Sequence, residues 1–268
     1  MAKVISERQG KVRKVTVYDD DTVVLESSDR VSAFDHVFEE TVPLKGELLN
    51  KLSWFTLQQT KDIVPNWAES CPTSKSTKGK YCTPFMIEVI LRRYLIGSAW
   101  RAYRDGCRNL CGVELPDGLK EGHRFETPIV TPTTKGDVDE NITPKEIVER
   151  KLATEEEWKI LVDYGQKLFA WGETYAASRG LVLCDTKFEF GKDKNGKILL
   201  IDEVLTADSS RYWLEGTKKT LSKEFLRKWL MDQGFQNKPG QTPPKLPEPL
   251  LYSITGKYCE LYSKFVPV

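Results

Sequence analysis

The chain has 268 residues, 40% of them hydrophobic and 29% charged, which suits a globular protein with one or two cores and sets aside fibrous, coiled-coil and wholly disordered readings. Forty lysines and arginines against 39 aspartates and glutamates leave a formal charge of +1, so no overall field draws the chain onto nucleic acid or an acidic membrane, and any anion must be met by a local site. No run reaches the roughly twenty apolar residues of a bilayer span, and the opening MAKVISERQGK lacks an apolar signal stretch, from which a cytoplasmic location is expected.

The first sixty residues read as antiparallel sheet followed by loop. Val12, Val15 and Val17 lead through Asp19-Asp20-Asp21 into Thr22-Val23-Val24-Leu25, a hairpin signal rich in β-branched residues. Just ahead of it, Gly10-Lys11-Val12-Arg13-Lys14 sets a glycine and three cations where backbone N–H groups and lysine charge can lie along a polyphosphate. It is not a GxxxxGK[ST] loop, and basic residues there also read as plain surface. Thr73 to Lys80 is expected to be an exposed loop and Pro84 to Leu91 a buried strand, which puts a boundary between an N-terminal lobe (residues 1–84) and a larger second lobe (residues 85–268).

That strand runs through Glu88, Arg92 and Arg93 towards Gly97-Ser98, where a helix start with a nearby arginine makes either a phosphate cradle or an ordinary cap. The loop from Thr131 to Asn141 is polar. Thr143-Pro144-Lys145-Glu146 and Thr154-Glu155-Glu156-Glu157 are capping-box signatures, and Trp158, Leu161, Leu168, Trp171 and Tyr175 follow at helical spacing as a core stripe that ends at Ser178-Arg179-Gly180. A second hairpin, 181–190 with 198–205, is expected around Asn195-Gly196. A helix near Ser222–Asp232, a proline-rich linker and a final amphipathic stretch follow.

Six cysteines without a CxxC pair fit reduced thiols. The lone histidines His36 and His123 leave catalysis to carboxylates, lysines, arginines or a hard cation. The second hairpin offers such chemistry. With a two-residue turn, paired positions place Glu189 directly opposite Asp202, and alternation puts Asp185, Lys187 and Glu189 on one face. Two acids at one spot call for a cation between them, and oxygen ligands suit Mg²⁺. Read alone, that face is equally a solvated surface, and a slip of one residue would turn Asp202 away. The polar turn Thr206 to Trp213 at the strand's end, with Asp208, Ser209 and Arg211, favours a small-molecule site.

GKVR, SSDRVSAFD, LKGELLNKLSWF, RRYLIGSAW, TPTTK with DENIT, DTKFEFG and IDEVLTADSSRYW occur in the order in which the phosphoribosylaminoimidazole-succinocarboxamide synthase (SAICAR synthetase) family carries them, and the chain resembles that family from about residue 10 to about residue 235. The resemblance implies an α+β fold in which an antiparallel N-terminal lobe and a larger mixed lobe enclose an ATP cleft, in the manner of protein kinases and ATP-grasp enzymes. It implies an ATP-dependent ligase joining carboxyaminoimidazole ribonucleotide (CAIR) to L-aspartate in purine biosynthesis. Position by position, Gly10, Lys11, Val12 and Arg13 resemble the triphosphate loop, residues 82–88 including Met86 and Glu88 the adenine hinge acting through its backbone, and Glu189 and Asp202 the magnesium ligands. Lys187 resembles the lysine beside the transferred phosphate. Arg92, Ser98 and Arg211, with Asp208 and Ser209, resemble the CAIR site, and Arg30, Ser32, Asp35, Lys45, Lys135 and Asp139 further substrate contacts. The implied partners are small molecules, with no nucleic acid, no membrane and at most a second copy of the chain.

Overall fold

The computed structural model describes residues 2–136 and 139–267, so Asp137 and Val138 of the expected polar loop lie outside the described residues. Strands β1 (Val4–Gln9), β2 (Arg13–Tyr18), β3 (Thr22–Ser27), β4 (Arg30–Ala33) and β5 (His36–Thr41) precede helix α1 (Lys45–Thr60). Then come β6 (Ala68–Thr73), β7 (Ser76–Lys80), the long β8 (Thr83–Tyr94), α2 (Gly97–Arg104), β9 (Asn109–Leu110), β10 (Val113–Glu114), β11 (Arg124–Val130) and β12 (Thr133–Thr134). Helices α3 (Pro144–Glu149) and α4 (Glu155–Ser178) lead to β13 (Leu181–Lys192), β14 (Ile198–Ile201) and β15 (Ser210–Leu214), and α5 (Glu224–Asp232) and α6 (Glu248–Phe265) follow. Among the described residues no helix is long and apolar enough to cross a membrane.

Two antiparallel sheets carry the α+β fold. The first has the order β1-β2-β3-β7-β6; the second has β11-β8-β13-β14, with β12 also on β8 and β15 on β13. They meet where Trp67 N donates to Leu200 O at 3.0 Å and Leu200 N to Pro65 O at 2.9 Å. Helix α4 covers one face of the second sheet, and Gly165 lets it approach Val89, Leu91 and Phe188 closely. Both capping boxes expected at the starts of α3 and α4 are present, and Trp158, Leu161 and Leu168 are buried in the core beneath.

Three expectations are corrected. Residues 45–60 are helix, not loop. The buried side of α1 mixes leucines with Asn50, Ser53, Thr56 and Thr60, which blurs the apolar stripe a sequence reading relies on. Residues 73–80 are not an exposed loop but belong mostly to the β6–β7 hairpin, whose Ser76 and Thr77 are buried. The reason is polar pairing, since Thr77 Oγ1 donates to Asn50 Oδ1 at 2.9 Å. The third correction is the register of the β13–β14 hairpin. Asp193 N donates to Lys197 O at 3.0 Å, so Lys194-Asn195-Gly196 form a three-residue loop with Gly196 at positive φ, and Glu189 pairs with Ile201 rather than with Asp202.

A Cβ added at Gly79 would overlap the carbonyl oxygen of Trp67, a backbone atom that cannot swing away. Gly79→Ala is therefore expected to destabilise the fold by about 1–3 kcal/mol, read as a lower urea midpoint at unchanged slope. Wild-type stability in that variant would contradict the close strand approach described here.

Candidate active site

On the face of the second sheet opposite α4, neighbouring strands bring charges together. Glu189 pairs with Glu88 and Asp185 with Arg92 across β13 and β8, and Arg211 of β15 pairs with Asp185 on the other side. Lys187 lies between these levels. Its Nζ donates to Glu88 Oε1 at 2.5 Å and to Glu189 Oε1 at 2.8 Å, while Lys135 pairs with the second oxygen of Glu189. Thr133 Oγ1 donates to Glu88 Oε2 at 3.0 Å. Burial opposes the charge on Glu189, but the ammonium groups of Lys187 and Lys135 outweigh it and hold the carboxyl at about 2. Burial raises Glu88, and the Lys187 charge only partly offsets this. The side chain of Glu88 thus belongs to the charged cluster, whereas residues 82–88 were expected to contribute largely through their backbone.

Asp202 follows the last residue of β14 with φ 63°, a left-handed conformation that takes it out of the strand's alternation. Its carboxylate pairs with Arg13, which also pairs with Glu203, and its charge is felt by Lys187. The acid directly beside Glu189 on the sheet is therefore Glu88, and Asp202 approaches from the sheet's end. Ile201 occupies the place across from Glu189 and joins Val23, Trp67, Cys82 and Leu199 in an apolar cluster, with Val15, Val17 and Leu25 packed on it. Burial pushes the Cys82 thiol up to about 11.

The N-terminal loop closes on itself through Gly10 N to Arg13 O at 2.7 Å. Lys11 pairs with Asp35, Arg30 Nη1 donates to Gly10 O at 3.2 Å, and the Val12 carbonyl accepts from Ser28 N and Oγ at 3.0 and 2.8 Å. Phe34 and Asp35 form the tight β4–β5 turn, both at positive φ, a strained conformation for non-glycine residues that presents Asp35 to Lys11. Ser32 is buried within that hairpin. Asp139 has Lys187, Lys11 and Asp35 among its charged neighbours.

A second cluster lies at the Asp185 end. Arg92 donates to Thr131 Oγ1 at 2.8 Å, to Asp185 Oδ2 at 3.0 Å and to Ser98 Oγ at 3.3 Å. Arg211 donates to the same Asp185 oxygen at 2.6 Å and to Glu224 Oε2 at 2.9 Å. Gly97, at φ 61°, lies so close under the Arg211 guanidinium that a side chain there would push the guanidinium aside. Two residues of this cluster escaped the sequence reading. Arg101 is three positions beyond Ser98 on α2, and Arg227 pairs with Glu224 at 3.3 Å on α5. The i, i+3 spacing in each case was the available signal. Burial lowers the pKa of Arg101; the charges of Arg211 and Arg227 add to this, while Glu224 opposes them. Four guanidinium groups face two carboxylates, a surplus of positive charge suited to a phosphate.

Lys45 and Asp208, expected as substrate contacts, are buried against each other, with Lys45 Nζ 2.9 Å from Asp208 Oδ2 and side-chain exposures of 0% and 4%. Ser209 is turned inwards, its Oγ accepting from Thr206 N at 3.1 Å. Met86 is exposed and, with Thr83, Pro84 and Phe85 of the expected hinge, lines a separate concavity of about 700 Å³ between the start of β8 and the start of α4. Among the described residues no group of three or more His, Cys, Asp or Glu side chains could hold a metal. A hard cation here would take at most two protein carboxylates and complete its shell from a ligand and water.

A family model described as SAICAR synthetase matches residues 6–242. The phosphoribosylaminoimidazole-succinocarboxamide synthase of Bacteroides fragilis is 48% identical over 266 residues, covering 94% of this chain and 84% of that protein. The enzyme of the same name from Flavobacterium psychrophilum is 44% identical over 271 residues, covering 96% and 86%. Among solved structures, the SAICAR-synthase from Saccharomyces cerevisiae complexed with SAICAR superposes with a TM-score of 0.83 at 33% identity, covering 98% of this chain and 94% of that one. The chain is therefore a carbon–nitrogen ligase. It belongs to the SAICAR synthetase family.

The charge clusters carry a pH signature. Burial opposes the charge on Glu224, but Arg211 and Arg227 outweigh it and hold the carboxyl at about 2, against 4.5 for an ordinary glutamate. Between those values the unfolded chain binds a proton that the folded chain does not, so this stabilisation is complete above about pH 4.5 and is lost as pH falls towards 2. Glu224→Gln is expected to flatten the acid limb, measured as the loss in urea midpoint between about pH 5 and about pH 3. Identical losses in variant and wild type would rule out the ion pairing with Arg211.

Proposed function

We propose that the face shared by Glu88, Arg92, Asp185, Lys187, Glu189 and Arg211 is where this SAICAR synthetase joins CAIR to L-aspartate with ATP. The supporting observation is the order of charge along β13. Asp185, braced by two arginines, and Glu189, beside Lys187, are four residues apart on one strand face, about 13 Å at the usual rise. That span accommodates a ribonucleotide laid along the strand, with its phosphate at the arginine end and its carboxylate near Lys187.

On this reading Arg92, Ser98, Arg101 and Arg211 hold the CAIR phosphate. The cluster around Ile201, Val15 and Leu25 packs the adenine beside the backbone of residues 82–88, and Lys11 and Arg13 in the Gly10–Arg13 loop meet the triphosphate. The two segments 1–84 and 85–268 form the walls of the cleft. A carboxylate is a poor electrophile, so the CAIR carboxylate oxygen attacks the terminal phosphorus of ATP, ADP leaves, and an acyl phosphate forms. The amine of aspartate then attacks the acyl carbon, loses a proton, and expels phosphate. Lys187 steadies the oxygens of the phosphoryl group during transfer, work that consists of positioning and charge neutralisation. Glu189 and Asp202 are oxygen donors of the kind Mg²⁺ accepts, and the ion's chemistry when bound is to neutralise phosphoryl charge. For this Glu189 has to release Lys135 and Asp202 has to release Arg13. Lys135, Arg30 and Asp139, near the reacting end, are the contacts left for aspartate.

The test is product formation with each substrate omitted in turn. ADP release that requires both CAIR and L-aspartate is expected; release with a hydroxyl acceptor in their place would replace the ligase reading with a kinase. Glu189→Gln is expected to lower turnover about a hundredfold or more at saturating Mg²⁺, and near-normal turnover would remove the metal role. Arg211→Lys is expected to raise the KM for CAIR about tenfold with little change in kcat, because a planar bidentate donor becomes a point charge.

A further inference from the structure

The helix α6 touches two parts of the site from outside it. Thr255 Oγ1 donates to the Pro43 carbonyl at 3.0 Å, two residues ahead of Lys45. Tyr258 Oη donates to Asp208 Oδ1 at 2.5 Å. Both residues lie beyond position 242, where the family match ends, and Tyr258 is 2% exposed.

The carboxylate that Tyr258 meets is unusually placed. Asp208 receives Lys45 at 2.9 Å and Lys223 at 3.5 Å, both on Oδ2. Both ammonium groups sit on the same oxygen at the ends of long side chains, and charge attraction to them has little preferred direction. Tyr258 supplies the directional bond, on the other oxygen. A buried carboxylate needs such a donor. Asp208 also belongs to the turn that precedes Arg211: its N–H donates to Thr206 Oγ1 at 3.3 Å, Ser209 N–H donates to the same oxygen at 3.2 Å, and Ser210 N–H donates to the Thr206 carbonyl at 3.0 Å. Fixing this carboxylate fixes the turn, and the turn sets where the Arg211 guanidinium emerges over Gly97 and against Asp185.

We propose that Tyr258 is a positioning residue for the substrate-phosphate cradle, acting through Asp208 on Arg211. This rests on the reading of Arg92, Ser98 and Arg211 as that cradle. A tyrosine that merely satisfied a buried acid would, on removal, lower stability without favouring one substrate over the other.

Initial rates of the full chain with CAIR and ATP varied separately separate the two roles. Tyr258→Phe, which keeps the ring, is expected to raise the KM for CAIR about tenfold, the worth of a hydrogen bond to a charged group, with kcat and the KM for ATP within about twofold. Tyr258→Met, which fills the space without a donor, is expected to do the same and carries the test if the first variant does not fold. In an Asp208→Ala background, which leaves no acceptor for the hydroxyl, Tyr258→Phe should add less than about twofold, since its effect passes through that carboxylate. An unchanged KM for CAIR in the Tyr258 variants, or equal rises for CAIR and ATP, overturns the inference while leaving the cradle intact if Arg211→Lys still raises the KM for CAIR. An unchanged KM in Arg211→Lys brings down the cradle reading and this inference with it.

Discussion

The cleft is organised by the Lys187 ammonium between two carboxylates that neighbouring strands force side by side. Glu88 and Glu189 are direct cross-strand partners, an arrangement that repels unless a cation intervenes. One level along β13 the same device recurs with the signs exchanged, where Asp185 accepts from both Arg92 and Arg211. One end of the face thus gathers carboxylates around ammonium groups and the other gathers guanidinium groups around a carboxylate. This polarity follows from strand alternation and from which residues β8 and β15 place opposite β13.

A second constraint ties the two sheets into one frame. Arg13 of β2 pairs with Asp202 and Glu203 just beyond β14, and Trp67 Nε1 donates to the Asp202 carbonyl at 3.2 Å. Burial disfavours the Arg13 charge, yet the two carboxylates raise its pKa above the ordinary arginine value. Glu203 in turn accepts from Thr206 Oγ1 at 2.5 Å. The Gly10–Arg13 loop and the turn that leads to Arg211 therefore lean on the same acid.

Much of this was legible in the sequence, for physical reasons that differ by element. The capping boxes at Thr143 and Thr154 are local, so they could be read directly. The shared face of Asp185, Lys187 and Glu189 needed only the two-residue period of a strand. The partner of Glu189 did not follow, because a three-residue loop shifts every pair by one, and the Asn-Gly pair fits loops of either length. Helix α1 was missed although LKGELLNKLSWF stood out as a motif, since its inward side is partly polar and pairs with β7. Lys45 and Asp208 stood out through the LKGE motif and the polar turn after β14; their burial against each other, with Lys223 and Tyr258 on the same carboxylate, is a long-range pairing that no local pattern announces. Arg101 and Arg227 became visible once α2 and α5 converged on Arg211.

The exchange of Ile201 for an acid opposite Glu189 bears on the fate of the reactive intermediate. An acyl phosphate is short-lived in the presence of water, and hydrolysis would return CAIR and waste a nucleotide. With Ile201 only 8% exposed and backed by Trp67, Cys82 and Leu199, the side chain across from Glu189 carries no polar atom on which a stray solvent molecule could be oriented for attack. On the reading proposed above, an aliphatic rather than an acidic neighbour to Glu189 would spare the second step one way of losing its intermediate to solvent.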